Sequence, residues 1–206
     1  KDLQTDFRMV YFNADGAEGS LCGNGARCAV AFASELGLLS DPCHFMAVDG
    51  MHQARLLGDE VALQMGDVTQ LRCSDRYTFL DTGSPHHVQE VEALEAMNVA
   101  EDGRRIRYGL YGDAGSNINF VQMDGDARIR VRTYERGVEG ETYSCGTGVT
   151  AVALAMHRAG RLKSLEPIID TRGGALKVRF SPDNAGGYRD IWLIGPAVKV
   201  FEGHWI

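Results

Sequence analysis

Two cysteines stand at the head of two similar stretches. Cys22 in SLCGNGARC and Cys145 in YSCGTGVT lie 123 residues apart, and each is followed by a Gly-X-Gly turn and a run of small and apolar residues. When Cys22 is laid on Cys145, Glu18 falls on Glu141, Gly23 on Gly146, Gly25 on Gly148, Gly37 on Gly160 and Leu39 on Leu162. Ala26, Ala29, Val30, Ala33 and Leu36 then fall on Val149, Val152, Ala153, Met156 and Ala159. That spacing is one face of a helix. Each copy predicts a turn carrying a cysteine, a helix of about four turns and a glycine stop.

A cysteine at a helix start is chemically poised, because the unpaired N–H groups and the positive end of the dipole favour thiolate over thiol. The same N–H groups form a seat for a carboxylate. Glycines on both sides of Asn24 and of Thr147 let the backbone approach a ligand that a Cβ would hold off. Two such units related by a pseudo-two-fold axis are expected to set two thiols across one cleft. That geometry takes a proton from one face of a carbon and returns one to the other.

The rest of the composition narrows the class. The chain has 206 residues, 44% of them hydrophobic and 24% charged, enough for one large or two small domains. A net charge of −7, with no basic stripe interleaved with aromatics, argues against a nucleic-acid surface. No apolar run approaches 18 residues, so no membrane partner is expected. Five cysteines, an odd count, point to free thiols in a reducing, cytoplasmic setting. No cysteine or histidine spacing suits zinc, so no metal is expected. Cys28 reads as a core or semi-buried thiol, and Cys43 and Cys73 as bystanders.

Strands surround the two helices. Residues 1–12 alternate into a strand with Phe7, Met9 and Tyr11 on one face, ending in a turn at Ala14 to Gly16. Residues 46–67 read as strand, turn, strand, turn, strand, and residues 168–197 as their counterpart, with Gly50 matching Gly173. Between them come a strand over 77–81, a short helical or loop stretch over 91–99, a polar linker over 101–107, and strands over 116–123 and 129–134. The plan is α+β: two pseudo-symmetric lobes, each a curled, mostly antiparallel sheet around a central helix. The expected division is 1–76 for the N-terminal lobe, with 198–206 as a candidate completion, and 77–197 for the C-terminal lobe. Only 21 residues precede Cys22, so the first lobe is expected to be incomplete, lacking about 40 to 60 residues at its front relative to the second copy.

NADG, CGNGARC, TGSPH and YERG followed by ETYSCGTG occur in that order, and the set resembles the diaminopimelate epimerase family along nearly the whole chain. CGTG alone also occurs in proline and hydroxyproline racemases. The resemblance implies a two-lobed fold with the site between lobes. It also implies a cofactor-free, PLP-independent inversion of one α-carbon of LL-diaminopimelate to the meso form, a step of lysine and peptidoglycan-precursor synthesis. The partner implied is that small-molecule substrate, with a homodimer left open.

Carried over residue by residue, Cys22 and Cys145 resemble the two acid–base thiols, one entering as thiolate and the other as thiol. Gly23, Asn24, Gly146 and Thr147 resemble the ligands of the α-carboxylate. Asn13 matches the distal-end asparagine of NADG, though Asn13 to Gly16 is equally a good turn sequence. Glu135 would orient the ammonium or tune a cysteine, and Arg136 would pair with the distal carboxylate; a solvated surface pair is the competing reading. Asn117 sits where the family has a substrate-binding asparagine, with Asn119 as the neighbouring rival. His86 resembles a histidine that acts with Glu135 on the cysteines, and His87 reads as structural.

Three departures stand out. Ser84 replaces an asparagine and reaches less far. GVEGET carries one extra residue. The front segments with the family's Gly-Asn-Asp and Gly-x-Asp-Gln amides are missing. Two other readings stay open: the same chemistry on proline or hydroxyproline, and a non-catalytic thiol or anion-binding protein.

Overall fold

A computed structural model describes residues 5–12, 16–19 and 21–204. The contacts group the chain into two compact units, Lys1–Leu63 with Ile194–Ile206, and Gln64–Leu193. The sequence division at 76 and this grouping differ around β5 (Leu71–Cys73), which pairs antiparallel with β6 (Thr78–Asp81) through Leu71↔Leu80.

In the first unit, β1 (Phe7–Arg8) runs parallel to β2 (Cys43–Ala47), and Phe7 stacks on Phe45 at 5.0 Å. The strand expected over 1–12 is therefore shorter, and its turn at Ala14 lies outside the described residues. β2, β3 (Gly50–Leu57) and β4 (Glu60–Met65) form the expected antiparallel meander. Phe45, Ala54 and Leu63 from its three strands are fully buried. Gly50 opens β3 at φ +123°, a conformation that glycine tolerates. Its counterpart is Gly174 at φ +126°, opening β12 (Gly174–Pro182), rather than Gly173.

α1 (Gly23–Glu35) starts at Cys22 and stops as predicted, with Gly37 left-handed at φ +66° and Leu38 N donating to Ala33 O at 3.0 Å. It buries Ala26, Val30 and Ala33, while Phe32 and Leu36 are more than half exposed. Leu36 was expected on the buried stripe. It is the C-cap residue, one step past the last helical turn, and points elsewhere.

The second unit is built on a sheet ordered β13 (Tyr188–Pro196), β12, β11 (Ile168–Thr171), β9 (Arg128–Glu135), β8 (Asn117–Met123), β7 (Pro85–Glu90), β6, β5. β7–β8 and β9–β11 are parallel; β5–β6, β6–β7, β8–β9 and β11–β12 are antiparallel. α3 (Gly146–Arg158) packs against β12 and also against β6, β7, β8 and β9. Strands far apart in the sheet order touch the same helix, so the sheet curls around it. Every residue from Gly148 to Met156 is buried, as a helix apolar on all sides requires. The alanines at 151, 153 and 155, each at most 1% exposed, let strands close on it from both sides. The architecture is α+β, as expected.

The expected linker is absent. The polar stretch 101–107 is not a linker but the middle of α2 (Val99–Tyr111), preceded by a 3₁₀ turn over Leu94–Ala96. Asn98 caps it by accepting from Glu101 N at 3.3 Å, and Glu101 and Asp102 sit at the positive end of the helix. Its buried face is hard to see in the sequence because it consists of Val99, Gly103 and Arg107. A Cβ on Gly103 would fall 2.4 Å from the Tyr134 side chain, so the helix lies directly on β9.

Candidate functional site

One group of candidate residues gathers at the start of α1, in the first unit. Cys22 is the N-cap residue in extended backbone, and its Sγ accepts from Gly25 N at 3.5 Å. Gly23 is buried as the first helical residue, and Cys22 is half-buried. A Cβ on Gly25 would meet Met9 Cε at 3.3 Å and Cys22 Sγ at 3.7 Å, so the glycine keeps the turn close to the sulfur. Asn24 Oδ1 accepts from Arg27 Nη2 at 3.0 Å, and Gly23 O from Arg27 Nη1 at 3.5 Å. Arg27 is 6% exposed, and burial holds its guanidinium below its ordinary value. The Cys22 and Cys28 sulfurs act in the opposite direction, favouring the cation. A buried cation beneath a helix N-terminus adds positive potential where an anion would sit.

Another group gathers at the start of α3, in the second unit. Cys145 is likewise an extended N-cap residue, half-buried, with Gly146 and Gly148 buried behind it. Its sulfur does not cap the helix; it lies 3.5 Å from Thr147 Oγ1. Thr147 is held from two directions. His86 Nε2 is 2.9 Å from its hydroxyl, and Thr82 Oγ1 donates to its carbonyl at 2.8 Å. His86 is fully buried, and burial, then the nearby charge of Arg136, push its pKa down to about 3. Asn119 Nδ2 stands 3.1 Å from His86 Nδ1, and Thr133 Oγ1 donates to Asn119 Oδ1 at 3.0 Å.

Asn117 faces the same side of β8 two residues earlier. Its Nδ2 donates to Ser84 Oγ at 2.6 Å and to Pro85 O at 3.2 Å, and its Oδ1 accepts from Arg136 N at 2.8 Å. The shorter Ser84 therefore contacts a neighbouring amide. Arg136 is exposed, with Nη1 donating to Ala114 O at 3.0 Å. Glu135 accepts from Thr142 Oγ1 at 2.7 Å across the hairpin to β10 (Gly140–Thr142). In the following loop Glu139 takes a left-handed backbone at φ +56°. Its carboxylate accepts from Gly137 N, Arg107 Nε, Tyr134 Oη and Tyr108 Oη at 3.0–3.3 Å.

Thus Ser84, His86, Asn117, Glu135, Arg136, Cys145, Gly146 and Thr147 fall in the second unit, and Cys22, Gly23 and Asn24 in the first. Asn13 lies outside the described residues. Three contributors escaped the sequence reading: Arg27, Thr82 and Thr133. Thr133 is the cross-strand partner of Asn119.

All five cysteines are thiols. Cys43 is buried and, by burial and then the charge of nearby Asp6, pushed up to about 12. Cys28 was expected to be semi-buried and is exposed, because it points from the side of α1 opposite Ala26 and Val30. His87 donates to or accepts from Tyr111 Oη at 2.8 Å and stacks on Tyr77, a structural placement. Among the described residues, no three His, Cys, Asp or Glu side chains gather as a metal cluster. No helix among them is long and apolar enough to cross a membrane.

The diaminopimelate epimerase family model matches residues 78–200. The diaminopimelate epimerase of Flavobacterium psychrophilum is 48% identical over 203 residues, 98% of this chain and 79% of that protein. That of Aquifex aeolicus is 38% identical over 97% of this chain and 75% of its own. Among solved structures, a PhzF-family phenazine biosynthesis protein from Bacillus anthracis superposes with a TM-score of 0.71 at 16% identity, covering 95% of this chain and 79% of that one. A probable proline racemase from Agrobacterium radiobacter K84 gives 0.68 at 15%, covering 95% and 70%. At such identities these two likenesses speak to the fold alone. The sequence relatives reach further, and the chain belongs to the diaminopimelate epimerase family of isomerases.

Proposed function

We propose that this protein interconverts LL- and meso-diaminopimelate, with Cys22 and Cys145 as the two acid–base groups. One sulfur, as thiolate, removes the α-proton; the other, as thiol, delivers a proton to the opposite face. The step produces a lysine and peptidoglycan precursor. The observation that carries the reading is the duplication: both cysteines are extended N-cap residues of 13-residue helices with glycine at the first and third helical positions. The sequence relatives' names supply the substrate.

The chemistry needs help at the carboxylate. An α-proton next to a carboxylate is weakly acidic, and the carbanion forms only when its charge is spread onto oxygens held by donors. The backbone N–H groups at Gly23, Asn24, Gly146 and Thr147 are the proposed donors, with Arg27 reinforcing the first set. Arg136, its backbone fixed by Asn117 and Ser84, and Asn13 are the proposed ligands of the distal amino-acid end. Glu135 is assigned to the ammonium group. His86, neutral through burial, is assigned to orienting Thr147 and through it Cys145.

Incubation with LL-diaminopimelate, L-proline or trans-4-hydroxy-L-proline, followed by chiral separation, tests the reading. Conversion of diaminopimelate alone is expected. Inversion of either proline, with diaminopimelate untouched, would replace it by the racemase alternative.

A further inference from the structure

Thr133, Asn119, His86, Thr147 and Cys145 form one continuous hydrogen-bond chain inside the second unit, and its direction follows from the chemistry of its groups as far as Thr147. Asn119 is fully buried. Its Nδ2 is 3.0 Å from the carbonyl of His87, and a carbonyl only accepts, so the atom there is the amide nitrogen and not the oxygen. In that orientation the Thr133 hydroxyl donates to Oδ1 at 3.0 Å. The second amide hydrogen then points at His86 Nδ1, 3.1 Å away. That nitrogen must present a lone pair.

His86 therefore keeps its single ring proton on Nε2, aimed at Thr147 Oγ1 at 2.9 Å. Thr147 accepts there, which leaves its own hydrogen available to Cys145 Sγ at 3.5 Å, the direction that a thiolate, an acceptor only, requires. The charged and titratable groups around the chain are His86 and His87 on β7, and Glu135 and Arg136 at the end of β9. His87 turns its ring to Tyr111 and Gln89, and Glu135 is bonded to Thr142. Arg136 opposes any positive charge on His86.

We propose that Asn119, backed by Thr133, is a positioning residue that fixes His86 as the Nε2–H tautomer and so makes Thr147 a one-way donor to the Cys145 sulfur, holding it ready as a thiolate. The inference rests on the reading of Cys145 as an acid–base group. Asn119 touches neither the sulfur nor, on this account, the substrate.

Nitrogen-15 NMR of histidine-labelled protein reads the tautomer directly. His86 is expected as neutral Nε2–H throughout pH 5 to 9; an Nδ1–H or imidazolium signature overturns the proposal without any variant. The second readout is the rate of Cys145 carbamidomethylation by iodoacetamide at pH 7, followed by peptide mass spectrometry with exposed Cys28 and Cys73 as internal controls. Losing a hydrogen bond to a charged sulfur is expected to slow Cys145 about tenfold in Asn119→Ala and Thr147→Val. Thr133→Val is expected to slow it less, and Thr133→Ser to restore it. Should Asn119→Ala fail to fold, the Thr133 pair still decides, and equal rates for valine and serine there contradict the chain. Neither readout needs turnover. A protein with the predicted tautomer that does not epimerise diaminopimelate sinks the functional reading alone, and an active one with the opposite tautomer sinks only this inference.

Discussion

Gly148 and Asn119 meet so closely that a Cβ on the glycine would lie 2.7 Å from Asn119 Oδ1, and 3.3 Å from both Cys145 Cβ and His86 Cε1. The asparagine cannot yield, because both ends of its amide are hydrogen-bonded in a fully buried position. At the matching position of the first copy, Gly25, the tightest neighbour is the flexible end of Met9 at 3.3 Å. Two glycines equivalent by sequence are therefore unequal in space. Gly148→Ala is expected to cost about 1–3 kcal/mol of stability and most of the activity. Gly25→Ala is expected to stay within about 1 kcal/mol of the parent, since alanine favours a helix. Urea denaturation of the two variants checks the contrast; equal losses contradict it.

Acid should loosen the second unit through its histidines. His86 and His87 are pushed down to about 3 and about 4, chiefly by burial. A histidine depressed in the folded state contributes stability that is complete above its ordinary value near 6.5 and is lost as pH falls towards the folded value. Between pH 6 and pH 4 each should subtract up to about 1.4 kcal/mol per pH unit. Denaturation midpoints measured across that window should fall, and His86→Gln together with His87→Gln should flatten the slope. A slope unchanged in the double variant would contradict this origin.

The turn before Cys145 depends on Glu139. Its carboxylate gathers four donors, including Arg107, whose side chain is 9% exposed. Glu139→Ala removes the carboxylate partner of that guanidinium, leaving it the Gly112 carbonyl, and is expected to cost about 1–3 kcal/mol. It also frees the 136–139 turn, so KM should rise more than kcat falls if Arg136 binds the distal end of the substrate. Steady-state kinetics that show only a kcat loss would contradict that assignment.

Thiol reactivity should separate the cysteines by burial. Cys43, buried and pushed up to about 12, is expected to resist iodoacetamide until the protein unfolds, whereas exposed Cys28 and Cys73 label quickly. Peptide mass mapping after brief labelling at pH 7.5 reads this, and early labelling of Cys43 would contradict its placement.

What the sequence revealed, and what it hid, follows from how each signal arises. The two helices were legible because their apolar stripes, flanking cysteines and glycine stops repeat at one spacing. The meander over 46–67 was legible because glycines punctuate alternating strands. α2 was hidden since, of its three buried residues, only Val99 registers as apolar, and Gly103 and Arg107 do not. Asn117 and Ser84 were found through motif position, yet their contact with each other depends on β6, β7 and β8 lying side by side. Thr133 and Arg27 were missed for the same reason. Cross-strand neighbours and a cation folded back under its own helix leave no periodic trace.

The central claim is that two different thiols serve the two faces of one carbon, and isotope placement tests it most directly. LL-diaminopimelate turned over to low conversion in deuterated water should yield meso product carrying one deuterium at the inverted α-carbon, while the remaining LL substrate stays protiated. Cys22→Ser and Cys145→Ser should each abolish conversion, and Cys28→Ala should not. Product that retains the substrate's own hydrogen, or full turnover by either serine variant, would contradict the two-thiol account.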